Sequence, residues 1–219
     1  MTITEPKVKL IWATPEAEKL LVYCARVSNL KSQEEGGRED KLISYLLKHK
    51  HFSPFEMVDA CLEIECSRAI ARQILRHRSF FFQEFSQRYS VVTEKPIFSE
   101  ARTQDLKNRQ ASHATEDESL KTFWESTQQE VWSLVQSKYN EALQLGIAKE
   151  QARAILPEGM AMSRMYMKGS LRSWIHYIEL RTGIETQKEH RDIAELCKKT
   201  ITEQFPLTAK ALGWANESH

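Results

Sequence analysis

Two hydrophobic periods interleave along the chain, and their succession predicts strands alternating with helices. Val8, Leu10 and Trp12 alternate with other residues over 7–14 and stop before Pro15, the pattern of a strand followed by a helix that opens at the proline and runs to about Ser28. Ala17, Leu20, Leu21 and Cys24 share one face of that helix. Residues 31–40 (KSQEEGGRED) are polar with adjacent glycines and predict an exposed loop, before a second helix carrying Leu42, Ile43, Leu46 and Leu47. Pro54 ends that helix in a turn. From Met57 to Cys66 the alternation is cleanest, with Val58, Ala60, Leu62, Ile64 and Cys66 opposite Asp59, Glu63 and Glu65. A strand with one apolar face belongs in an antiparallel or mixed sheet. Ser67 stands where it caps the helix that follows, SRAIARQIL.

Residues 92–118 are polar, lack a sustained period and predict an excursion over the surface. Leu120, Phe123, Trp124, Thr127, Val131, Leu134 and Val135 then recur at three- and four-residue steps, predicting a long amphipathic packing helix over 118–145, ended by Gly146. KEQARAILPEG predicts a short helix stopped at Pro157. Met160, Met162, Arg164 and Tyr166 mark a second strand, apolar also at Met165 and Met167 and ended by Gly169 or Ser170. Ser170 caps a helix whose stripe is Leu171, Trp174, Ile175 and Ile178; a last helix carries Ile193, Leu196, Cys197 and Ile201 and closes the fold before Pro206. These elements describe one α+β domain spanning 1–219, a mixed or antiparallel central sheet flanked by helices.

Composition narrows the functional classes. With 219 residues, 41% of them hydrophobic, the chain is long enough for one well-buried core. The 31 basic and 30 acidic residues leave a net charge of +1, which gives no global attraction to nucleic acid or to an anionic membrane, so any cationic site is local. The four cysteines, Cys24, Cys61, Cys66 and Cys197, show no C-x-x-C spacing, which argues for reduced buried thiols and against a metal. No targeting or spanning segment is evident, and a cytoplasmic location is expected.

Against that neutral background one stretch concentrates chemistry: RHRSFFFQEFSQRYS, residues 76–90. Arg76 and Arg78 flank His77, and guanidinium forks bind phosphate or carboxylate bidentately. Arg68, Arg72 and Arg76 stack at four-residue spacing, an arrangement that calls for a bound anion or for nearby acids. Phe80, Phe81, Phe82 and Phe85 around Gln83 and Glu84 offer an apolar wall with specific polar groups, suited to a flat heterocycle with a phosphate tail. An Arg-rich helix also serves as a solvated face, and consecutive Phe residues as core.

The Arg-His-Arg triplet followed after seven residues by Ser86, with Glu84, Arg88, Tyr89 and Ser90, resembles the signature of flavin-dependent thymidylate synthases. Further matches lie at HFSPFE (residues 51–56), at ARAILP (152–157) and over 170–187, with departures at Gln83, Gln87, Ser170 and His176. The resemblance implies reductive methylation of dUMP to dTMP, with FAD as cofactor, NADPH and methylenetetrahydrofolate as co-substrates, no metal and no enzyme nucleophile. It places Gln73, Arg76, Glu84, Ser86, Gln87, Arg88, Arg153 and Arg181 around dUMP, with Arg181 as the catalytic group that polarises the pyrimidine. Ser28, Ser53, Glu56, Arg76, His77, Arg78 and Glu84 fall near the flavin, as do Ser170, Arg172, His176 and Gln187. His51 and Tyr89 belong to the folate and nicotinamide pocket. A homotetramer with shared sites is implied as well. Two other classes stay open on the residues alone: a flavin- or nucleotide-dependent reductase without methyl transfer, and a nucleotide- or RNA-binding module that uses the arginines for phosphate and the Phe cluster for stacking.

Overall fold

A computed structural model of the chain describes residues 5–93 and 95–214. Its centre is a four-stranded sheet of order β1 (Lys7–Ala13), β2 (Asp59–Ser67), β6 (Met162–Ser170), β3 (Phe81–Glu84), antiparallel at every pairing. Between β3 and β6 lies a separate two-stranded hairpin, β4 (Arg102–Gln104) with β5 (Ser112–Ala114). Around the sheet run α1 (Ala17–Ala25), α2 (Leu30–Glu35), α3 (Glu39–Lys48), α4 (Arg68–Ile74), α5 (Glu118–Gln144), α6 (Lys149–Ala152), α7 (Leu171–Arg181), α8 (Lys188–Gln204) and α9 (Pro206–Ala211).

Strict alternation gives β2 and β6 their two faces. Val58, Ala60, Leu62 and Ile64 are buried, as are Met165 and Met167 across the strand pair. The opposite face is charged and satisfied by cross-strand pairs: Glu65 faces Arg164 in register and bonds it at 3.0 Å, and Lys168 reaches Asp59 at 3.0 Å. The inward face packs on α1, α3, α7 and α8 through Leu21, Ile43, Trp174, Ile178, Ile193 and Cys197. Trp174 is fully buried and its indole N–H donates to the Ala60 carbonyl at 3.2 Å, so its burial leaves no donor unpaired.

The caps fall where expected. Ser67 Oγ accepts from the Ile70 amide at 3.4 Å at the start of α4, and Ser170 Oγ accepts from the Ser173 amide at 3.3 Å at the start of α7.

Other elements depart from the periodicity. The polar run expected as a loop contains α2, because Asn29 accepts from the Ser32 amide and the Lys, Gln and Glu residues that follow are strong helix formers. The adjacent Gly36 and Gly37, both with positive φ, end it. In α1 it is Val22 rather than Leu20 that is buried. Phe80 is core but Phe81 is 72% exposed, because the triplet enters β3 and strand geometry turns alternate rings outward. The excursion carries the β4–β5 hairpin and contributes Val92 and Phe98 to a second core. Pro206 opens a further helix instead of closing the fold, as proline at the first helical position can.

Helix α5 holds two apolar stripes. Trp132 and Tyr139 pack with Val92, Phe98, Leu156 and Ala161, and Gln128 is buried beside them, where its amide bonds Ser99. Of the positions expected to pack, Val135 lies against this second core, whereas Phe123, Trp124, Val131 and Leu134 are exposed on the single chain.

Candidate active site

Helix α4 carries the arginine ladder towards the Arg-His-Arg triplet. Arg68, 7% exposed, lies 3.4 Å from Glu84 and 3.5 Å from Glu158, and Arg72 pairs with Glu158 at 3.2 Å. Acids therefore relieve the repulsion of the first two cations. Arg76 and Arg78 are exposed and take part in no ion pair among the described residues, so they are the cations left for a ligand. Glu84 also accepts from Ser163 Oγ at 2.7 Å; this bond and the Arg68 contact both fall on Oε1, which leaves Oε2 for a ligand.

The ends of α4, α7 and α8 meet behind the triplet. Arg181 Nε, in the last turn of α7, donates to His77 Nε2 at 3.0 Å. His77 is thus a neutral acceptor at Nε2 with its proton on Nδ1. Burial, then the positive charges of Arg181 and Arg76, push its pKa down to about 4. The imidazole stands edge-on to the Tyr177 ring, centroids 4.9 Å apart. Gln73 Nε2 donates to Gln187 Oε1 at 2.7 Å, joining α4 to the residue before α8. The start of α7 is tied to the same loop, since Ser173 Oγ donates to the Ser79 carbonyl at 3.2 Å. Phe80 packs on Trp174 at 4.8 Å and occupies the space over Gly169.

On the outer side of α7, Arg172 pairs with Glu56, and His176 lies against the Phe52 ring at 4.8 Å. A 3-10 turn over Ser53–Glu56 brings these groups beside the exposed Ser53 and His51. Ser170 is engaged in capping α7. At the end of α1, Ser28 lies in a cleft of about 480 Å³ with Arg26, Arg38 and Lys41.

A further group sits past β3. The Ser86 carbonyl accepts from the Tyr89 and Ser90 amides, Arg88 pairs with Glu150 at 3.4 Å, and Lys149 Nζ donates to the Tyr89 carbonyl at 2.8 Å. Arg153, close by in sequence, donates from Nε to the Glu150 carbonyl. Gln87 is buried at 3% exposure with its amide nitrogen unpartnered. Most of the expected residues thus gather in three patches: Gln73, Arg76, His77, Arg181 and Gln187; Ser53, Glu56, Arg172 and His176; and Ser86 to Tyr89 with Arg153; Ser28 stands apart in the α1 cleft, and Glu84 is held by Arg68 and Ser163.

A sequence model of the family described as thymidylate synthase complementing protein matches residues 9–207. The chain belongs to the flavin-dependent thymidylate synthase family. It is 49% identical over 214 residues to the flavin-dependent thymidylate synthase of Synechocystis sp., covering 98% of each chain. To a probable flavin-dependent thymidylate synthase of Paramecium bursaria Chlorella virus 1 it is 47% identical over 214 residues, 98% of this chain and 97% of that one. Its fold is that of a UMP/dUMP methylase from Streptomyces cacaoi solved with 5-Br UMP, at a TM-score of 0.85 and 24% identity over 96% of this chain and 94% of that one.

The donor set fits a phosphate-bearing flavin, as the relatives' names call for a flavin. Arg76 and Arg78 offer forks with no acidic partner among the described residues, and Arg38 and Lys41 place further cations around Ser28, while Arg26 is turned to the Ser32 and Gly37 carbonyls. Several groups that organise this site are not among the residues singled out in the sequence: Glu158, Ser163 and Tyr177, with Glu189, which accepts from Gln187 Nε2 at 2.8 Å, and His190, whose Nδ1 lies 3.2 Å from Gln73 Oε1. A signal existed for His190, which falls three residues before Ile193 and seven before Cys197 and so puts a polar ring on a core stripe.

Proposed function

We propose that the chain catalyses the reductive methylation of dUMP to dTMP with methylenetetrahydrofolate as carbon donor and NADPH as reductant. In net terms the C5 hydrogen of uracil gives way to a methyl group, and NADPH with one proton supplies the two hydrogens that leave tetrahydrofolate and NADP⁺ as products. Bound flavin, once reduced, supplies the hydride. The remaining work falls to the chain's own side chains.

The observation that carries the reading is the Arg181–His77 contact beside Arg76 and Arg78, which have no acidic partner among the described residues. A guanidinium oriented by its Nε keeps the terminal nitrogens for a substrate, and a fixed positive charge favours negative charge developing on a pyrimidine carbonyl. Arg181 takes that role. Arg76, Ser86, Arg88 and Arg153 hold the nucleotide with Gln73, Glu84 and Gln87. His77, Arg78, Ser28, Ser53, Glu56, Arg172, His176, Ser170 and Gln187 hold the flavin, and His51 and Tyr89 border the folate and nicotinamide. A nucleophilic thiol is not called for: burial raises the pKa of Cys61, pushes that of Cys66 up to about 12 and raises that of Cys197, so these three stay protonated at neutral pH.

The chain assembles as a homotetramer whose sites draw on more than one protomer. Supporting this is the exposed apolar face of Phe123, Val131 and Leu134 on α5. The test is an assay of the purified yellow protein with NADPH, dUMP and methylenetetrahydrofolate: dTMP forms only when all three are present. NADPH oxidation that never yields dTMP means a reductase, and failure to take up flavin means a binding module.

A further inference from the structure

Behind the Arg181–His77 pair a continuous line of hydrogen bonds runs from the core to the surface, and the chemistry of its outer end dictates the direction of every bond in it. At the outer end Arg102, on β4, pairs with Glu189, whose side chain is largely buried. Burial opposes ionisation of Glu189, but bonds from Arg102, from its own backbone amide and from Gln187, with the Arg102 charge, outweigh it and hold the carboxyl below its ordinary pKa. A carboxylate only accepts. The Gln187 amide, 2.8 Å from Glu189 Oε2, must therefore turn its nitrogen towards it and keep its oxygen for Gln73. Gln73 then donates from Nε2 at 2.7 Å, which turns its Oε1 to His190 Nδ1 at 3.2 Å. An acceptor facing Nδ1 requires the proton there, so Nε2 of His190 accepts, and the buried Tyr177 hydroxyl at 3.2 Å is its donor.

His190 is fully buried, and burial followed by the charge of Arg181 drives its pKa down to about 3, so the ring is neutral with one N–H and one lone pair. Tyr177 is a phenol whose pKa burial raises well above its ordinary value, consistent with a hydroxyl that donates.

We propose that His190 is a positioning residue for the nucleotide: fixed as the Nδ1–H tautomer by the Arg102–Glu189 end of the chain, it locks the Gln73 amide in one orientation. With Oε1 bound by His190 and Nε2 by Gln187, Gln73 has one N–H and one carbonyl lone pair left to present, each in a set place. A flipped amide would exchange those donor and acceptor edges. This rests on the reading of Gln73 as a dUMP contact. It also gives the hairpin of the polar excursion a part in the site, because Arg102 is the foremost of the groups that hold Glu189 ionised.

The test has a spectroscopic and a binding arm. Nitrogen NMR of the flavin-loaded wild-type protein, labelled with ¹⁵N-histidine and assigned by the loss of one signal set in His190→Leu, reads the tautomer. Glu189→Gln, which can donate or accept, should mix the two tautomers. Titration with dUMP, followed through flavin absorbance, should give a Kd raised about tenfold in His190→Leu and largely restored in His190→Asn, whose amide N–H takes the place of Nδ1–H. In turnover the same pattern should appear in KM for dUMP, with kcat changed far less. A protonated Nε2 in the wild type, or an unaltered dUMP Kd in folded His190→Leu, overturns the proposal. Should His190→Leu fail to fold, assignment through His190→Asn lets the wild-type tautomer decide. Wild-type protein with the Nδ1–H tautomer and tight dUMP binding, yet no dTMP, would remove the proposed reaction and leave the positioning role standing.

Discussion

Arg181 commits Nε to His77, and this bond fixes the plane of its guanidinium. Lysine at that position keeps the charge but has neither the Nε–H nor the fork. Arg181→Lys is therefore expected to retain flavin, seen in the visible spectrum, and to lose about 10²-fold or more in kcat, measured in steady state. The two depressed histidines make a second prediction. Both are neutral above their unfolded pKa, so there they contribute no pH dependence. As pH falls below about 6.5 the unfolded chain takes up protons that folded His77 and His190 refuse until about 4 and about 3, so stability falls with pH across that interval. For the fully buried His190 alone the loss at pH 5 is about 2 kcal/mol. Urea unfolding at pH 7.5 and pH 5 measures it, and His190→Leu should remove that share. Arg76, His77 and Arg78 were legible in the sequence because three charged or titratable groups in a row stand out. For His190 the sequence carries only a polar ring on an apolar stripe; its role becomes legible once its partners Gln73 on α4 and Tyr177 on α7 are known.

At the scale of elements, Gly169 shows how the sheet holds the motif loop. A Cβ there would lie 2.5 Å from the Phe80 ring, which is itself packed on Trp174. Gly169→Ala must displace that ring and with it the start of β3; a cost of about 1–3 kcal/mol in thermal or urea unfolding is expected, with weaker flavin retention on gel filtration. The strands β2 and β6, the caps Ser67 and Ser170 that follow them, and the helices α4 and α7 that these open were legible because period and cap agree at each. The β4–β5 hairpin was not, since three-residue strands are too short to display alternation. Helix α2 was hidden because polarity and adjacent glycines outweighed residues that favour helix once Asn29 caps them.

On the scale of the whole molecule the long helix is the informative misreading. A sum of apolar positions over α5 cannot tell a stripe that meets its own chain from one that does not, and only the packing of Trp132 and Tyr139 separates them. In the proposed tetramer the Phe123, Val131 and Leu134 face is buried between protomers. Leu134→Glu should then shift the mass seen by light scattering from tetramer towards protomer and abolish dTMP formation together with it, while leaving the protomer's circular dichroism unchanged. A change of activity without a change of mass would separate the helix from assembly.

The central claim is that one flavin-bearing site joins reductant, carbon donor and dUMP. It is tested most directly by a single anaerobic turnover: protein with its flavin reduced by one equivalent of NADPH, mixed with dUMP and methylenetetrahydrofolate, with flavin oxidation and dTMP measured in the same sample. One dTMP per flavin reoxidised is the predicted result, falling to none in Arg181→Ala. Flavin that stays reduced, or reoxidises with no dTMP formed, would contradict the account.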